Sequence, residues 1–169
     1  MKHLDVGHLG QFLGQAFERA VFEKLEAGGF AEVKGVHGYV VQRLLEGPQS
    51  ASAMAAALGV TQQAVAKWVA ELRALELVTD APAGEDARER RVQLTDKGNA
   101  CVKASRDARA KVAKRLEKAL GSKALTKLQT RLSEALEALG GLDAVRQRRV
   151  RVPPSSGRAL HRRSRNALR

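Results

Sequence analysis

Apolar residues recur at three- and four-residue steps through most of this chain, and the steps break at glycine and proline. Val6, Leu9, Leu13, Ala16, Phe17, Ala20 and Val21 carry helical period over about 4–27, and Gly28-Gly29 end it. Gly7, Gly10 and Gly14 lie inside this helix, where each costs about 1 kcal/mol relative to Ala. Either a second helix approaches closely there or the helix starts frayed. A second helix is expected over about 36–45, with Val36, Val40, Val41, Leu44 and Leu45 on one face, broken by Gly47-Pro48.

The next segment has the pattern of two short helices around a tight turn. Ser50 or Ser52 can cap the first, because a serine oxygen accepts from the unpaired N–H groups of a first turn. That helix holds Met54, Ala55, Ala57 and Leu58. Gly59 turns the chain, Val60 anchors it inward, and Thr61 caps a helix running to about residue 75. Val65, Trp68, Val69 and Leu72 keep i, i+3, i+4, i+7 spacing and are expected to face the core, Trp68 included. Gln62, Gln63, Ala66 and Lys67 then face outward.

Leu77–Thr79 and Arg91–Leu94 read as two short strands joined by an exposed loop rich in Pro, Gly and charge. Thr95 or Asp96 caps a long helix to about residue 120, interrupted by Gly121-Ser122. A last helix runs to about 139 and ends at Gly140-Gly141. Its Leu125, Leu128, Leu132, Leu136 and Leu139 form a continuous apolar stripe. The expected fold is mainly α with a small β-hairpin wing: a winged helix-turn-helix flanked by N- and C-terminal dimerisation helices. Residues 1–145 would form that unit, with about 36–95 as the DNA-binding core, and 146–169 a basic tail expected to be disordered.

Charge changes the picture only in part. The net charge is +12 and the pI is about 10.6, a balance that favours a polyanionic partner. Residues 146–169 hold nine arginines and no acid, so the tail carries +9 of the +12 and leaves +3 for the rest. The wing arginines are therefore better evidence of DNA contact than the global balance. The single cysteine, Cys101, excludes an internal disulfide and fits a reducing compartment. Burial as a structural residue is its expected state. No apolar run reaches membrane-span length, and the N-terminus lacks a signal-peptide layout, so a soluble cytoplasmic protein is expected. His3, His8, His37 and His161 show no metal-ligand spacing. No cofactor motif, nucleophile–base pairing or phosphate loop is visible, so an enzyme is not expected.

A helix-turn-helix places its second helix in the major groove, and a basic hairpin can reach backbone or minor groove. Gln pairs with adenine edges, Ala can meet a thymine methyl, and Lys reaches guanine or phosphate. The candidate DNA contacts are Ser52, Thr61, Gln62, Gln63, Ala66 and Lys67, with Arg88 and Arg90 from the wing. Asp86 would orient the wing guanidinium groups.

The wing segment Asp86-x-Arg88-x-x-x-Val92-x-Leu94-Thr95, continued by Asp96-Lys97-Gly98, resembles the wing signature of the MarR (multiple antibiotic resistance regulator) family. The resemblance covers about 4–140. It implies that Arg88 sits at the wing tip and reaches the minor groove, with Asp86 holding the basic side chains. It also implies a homodimer through the terminal helices, with Leu9, Leu13, Leu125, Leu128, Leu132 and Leu136 as dimerisation residues. Many such regulators release DNA on binding small phenolic or lipophilic effectors. Phe12, Phe17, Phe30, His37 and Tyr39 lie in segments that border the effector cleft of that family. Two departures stand out: Glu76 occupies a turn position where many relatives have Gly, and the arginine tail lies outside the common core.

The expected function is a sequence-specific, homodimeric transcription regulator acting on palindromic double-stranded DNA as a ligand-responsive repressor. Two alternatives remain: a sequence-tolerant architectural DNA binder driven by the tail, and a protein-interaction module that has lost DNA affinity.

Overall fold

The helices that start at residues 51, 62 and 96 each begin on a side-chain oxygen in the computed structural model, which describes residues 4–82 and 90–150. The order is α1 (Val6–Ala27), α2 (Gly35–Leu44), β1 (Gln49–Ser50), α3 (Ala51–Leu58), α4 (Gln62–Ala74), β2 (Val78–Asp80), β3 (Arg91–Leu94), α5 (Asp96–Leu120), α6 (Ser122–Ala138) and α7 (Leu142–Arg146). Ser50 Oγ accepts from Ala53 N, Thr61 Oγ1 from Ala64 N and Thr95 Oγ1 from Gly98 N, at 3.3, 3.2 and 3.0 Å. Each cap satisfies a donor that the first helical turn leaves unpaired.

Two elements are additional to the sequence reading. β1 turns the expected hairpin into a three-stranded antiparallel sheet in the order β1-β3-β2, with Gln49 opposite Val92 and Ser50 opposite Arg91. β2 starts one residue later than expected. Leu77 N closes the end of α4 on Leu72 O at 3.0 Å, so its N–H is not available to the ladder. α7 is the second addition, beyond Gly140, which turns with φ 70°. Of residues 146–150, expected in the tail, Val150 packs against the winged core and the other four are exposed.

One core lies inside the winged segment. Val40, Met54, Leu58, Val65 and Leu72 are fully buried there, with Leu77, Val78 and Val92 from the sheet. Trp68, expected in the core, is only half-buried at its edge. The first turn of α5 packs so closely on this core that a Cβ on Gly98 would strike the carbonyl oxygen of Leu77. A second, smaller cluster joins the C-terminal half of α1 to α5 through Val21, Leu25, Ala108 and Val112. The N-terminal half of α1 is helical from Val6, capped by Asp5 Oδ1 accepting from His8 N at 3.0 Å. Among the described residues, apart from chain neighbours and the helix backbone, no atom lies within 4 Å of where a Cβ on Gly10 or Gly14 would sit. α6 carries no buried residue.

Candidate nucleic-acid interface

α4 separates its two faces by the spacing of its side chains. Val65, Val69 and Leu72 are buried, while Thr61, Gln62, Gln63, Ala66 and Lys67 are exposed at its N-terminal end. Gly59 turns into this helix with φ 68°, a left-handed conformation that glycine adopts without a Cβ penalty. The free N–H groups and positive dipole end of α4 therefore face solvent beside a row of polar side chains, an arrangement suited to DNA phosphate and base edges. Ser52 is exposed on the neighbouring α3, its hydroxyl 3.0 Å from Ser50 Oγ.

A buried polar bridge locks α4 against α2. His37 has 0% exposure. Its Nδ1 accepts from Lys34 N at 3.2 Å, so its Nε2 carries the proton and donates to Glu71 Oε2 at 2.8 Å. Lys34 Nζ reaches the same carboxylate oxygen at 3.0 Å. The His37 hydrogen bond, then that of Lys34, holds the Glu71 carboxyl below the usual carboxylate range. His37, expected among the effector-cleft residues, is a buried link between α2 and α4. The signal lies in Lys34-x-x-His37, the spacing of a capping box with His in place of Glu or Gln.

The sheet pairs the two strands that flank the wing loop. Val78 pairs with Leu94 and Asp80 with Val92. Arg73, near the end of α4, pairs with Asp80 at 2.5 Å and ties the helix to β2. Arg90 is exposed where the described chain resumes. Arg91 donates to the Pro48 carbonyl and so is directed back to the β1 segment. Asp86 and Arg88 lie outside the described residues.

The five candidate cleft residues do not line one cavity. Phe12 is 60% exposed on α1. Phe17 packs on the α1–α5 cluster, with the Arg109 guanidinium 5.8 Å from its ring centre. Phe30 lines a small cavity with Val33, Leu75 and Leu77, and Tyr39 packs at the winged core. A second cavity lies between α1, α2 and α5. It is walled by aliphatic residues such as Val21 and Val41, by Cys101, and by Glu18, Lys34, Arg106 and Arg109. Phe22 of α1 also lines it, and none of the five candidate residues does. Cys101 is buried and free, and burial raises its thiol above the ordinary range. Among the described residues no cluster of three or more His, Cys, Asp or Glu could hold a metal ion. No described helix is long and apolar enough to cross a membrane.

No family model matches the sequence, and no curated protein matches it. Solved structures do. The chain is similar to the reduced form of E. coli MarR at 20% identity and a TM-score of 0.66, covering 80% of this chain and 99% of that one. It is similar to the YusO protein of Bacillus subtilis at 21% identity and a TM-score of 0.63, covering 79% and 94%. A mutant of S. aureus MepR bound to an oligodeoxyribonucleotide matches at 18% identity and a TM-score of 0.57, covering 81% and 99%. The chain has the MarR-like winged-helix fold.

Proposed function

We propose that this chain is a DNA-binding transcription regulator that acts as a homodimer, with α4 of each copy in the major groove. The observation that carries the reading is the exposed Thr61-to-Lys67 face of α4, backed by a fully buried face and flanked by the wing. The MepR neighbour solved with an oligodeoxyribonucleotide supports the use of this fold on DNA. In this reading Gln62, Gln63 and Lys67 discriminate between sequences, and Arg88 and Arg90 hold the wing to the groove or backbone.

Homodimerisation is supported by the apolar surface left at both ends of the chain: Val6, Leu9, Phe12 and Leu13 on α1, and the leucine stripe of α6. A two-fold dimer presents two reading helices to a palindromic site. A repressor released by a small effector is supported by the cavity between α1, α2 and α5. Lys34 both borders that cavity and bonds Glu71 on α4, so an anionic occupant would compete for it.

Footprinting on the DNA flanking its own gene tests the regulator reading. A protected two-fold site is expected. Gln63→Ala should weaken binding to that site and leave random duplex nearly unaffected. Arg88→Ala should cost about 1–3 kcal/mol of affinity, the usual worth of one good groove contact. Equal binding of all duplexes would favour an architectural protein, and no binding would favour an interaction module.

A further inference from the structure

The chain beyond α6 returns to the winged segment. α7 buries Ala144 to 4% exposure. Arg148 then turns with φ 52°, and Arg149 N donates to Ala144 O at 2.9 Å. Val150 packs against the winged core, and its N–H donates to Leu58 O at 3.3 Å. Leu58 ends α3, and the last carbonyls of a helix have no partner within it. The bond therefore fixes residue 150 at the helix-turn-helix turn, on a residue three positions before Thr61, the cap of α4. A three-residue step spans at most ~11 Å, so residue 150 lies within about 20 Å of the cap.

The sequence beyond residue 150 is strongly cationic. Residues 151–169 contain six arginines and no acid. Arg148 and Arg149, just before, are exposed. The 19 residues beyond 150 can span at most ~65 Å, about two turns of duplex.

We propose that residues 142–150 are a strap that launches the arginine-rich C-terminal segment from the helix-turn-helix turn onto the phosphates flanking each reading helix. The partner is double-stranded DNA outside the major-groove contact, bound by charge and not by base sequence. The inference rests on the DNA-binding reading and adds a location to it. Arginines tethered beside the groove-entering helix meet flanking phosphates intramolecularly once that helix is seated. The same charges on an undocked tail would have no fixed place on the duplex.

The test uses the full-length chain on two duplexes of equal length, one from the DNA flanking its own gene and one shuffled. Replacing the six arginines of 151–169 by Gln should make the salt dependence of binding shallower by up to about five on both, at about 0.9 for each phosphate no longer neutralised. For position, Arg158→Cys carries an iron chelate that cleaves nearby DNA. Cuts should cluster at the flanks of the footprint. Val150→Asp, which breaks the docking, should spread and weaken them. If that variant fails to fold, a Gly-Ser insertion between 150 and 151 replaces it and should move the cuts outward. An unchanged salt slope in the arginine variant, or one cleavage pattern in docked and undocked forms, overturns the strap alone. No binding to either duplex overturns it together with the DNA-binding reading.

Discussion

Met54, Leu58, Val65 and Leu72 in the winged segment are at 0% exposure, whereas Val6, Phe12 and Leu139 near the ends of the helical frame are 71%, 60% and 80% exposed. The two regions have similar apolar periodicity but different partners. In the winged segment α2, α3, α4 and the sheet close on one another, so each stripe finds its cover within one chain. At the ends, α6 meets α5 and the short α7, and residues 6–16 of α1 are all exposed. Apolar surface left in water forgoes about 25 cal/mol per Å². The first region covers its apolar stripes within one chain; the second leaves them exposed, which is the surface the proposed dimer would use.

The sharpest way to break this comparison is a pair of variants. Leu72→Ala should lower unfolding stability by about 2–5 kcal/mol, the usual cost of truncating a fully buried leucine. Leu128→Asp combined with Leu132→Asp should instead dissociate the dimer and leave the winged core folded, since no residue of α6 is buried within the chain. Denaturant unfolding and light scattering read the two effects separately. A monomer at micromolar concentration before any substitution would remove the second copy from the account.

The second prediction concerns how α4 is held. The Glu71 carboxyl is depressed in the folded chain by His37 and then Lys34. A depressed carboxylate adds stability that is fully present above its unfolded pKa, about 4.3, and fades as pH falls through the lower folded value. The melting temperature of the native chain should therefore exceed that of Glu71→Gln near neutral pH, and the gap should close in acid. Asp5 and Glu76 are also depressed but are common to both proteins, so the difference isolates Glu71. A gap that stays constant from pH 7 to about pH 3 would show that shape, and not charge, holds the bridge.

Legibility follows sequence distance. Ser50, Gly59, Thr61 and Thr95 are read from neighbours within a few residues, and each does at its position what local chemistry requires. The exposed face of α4 follows from the same periodicity that buries its opposite face. The features that escape are non-local. β1 exists because Gln49 and Ser50 meet Val92 and Arg91, about forty residues away, and a two-residue strand has no period of its own. His37 and Glu71 are 34 residues apart, so in sequence the link between α2 and α4 looks like part of an aromatic group. Gly140-Gly141 reads as a stop, which hides α7 and the return to Leu58. The terminal stripes are legible as amphipathic helices, but a one-chain sequence does not say what covers them.

The smallest expected effect lies at the turn between α4 and β2. Glu76 has φ 60°, a left-handed conformation that strains a residue with a Cβ and suits glycine. Its side chain meets Lys97 Nζ at 2.8 Å, an exposed pair, and that contact holds its carboxyl below the ordinary range. Exposed pairs of this kind are worth little and are screened by salt. Relief of the backbone strain should therefore outweigh loss of the pair, although a glycine gains freedom in the unfolded chain that offsets part of the benefit. Glu76→Gly should raise the melting temperature slightly, and more so at high salt, where the pair is already weakened. Glu76→Ala keeps the strain and loses the pair, so it should not raise it. Neither change should alter dimerisation, because the turn belongs to the region that completes its own core. A lower melting temperature for the Gly variant than for the Ala variant would show that backbone strain at this turn is not the deciding term.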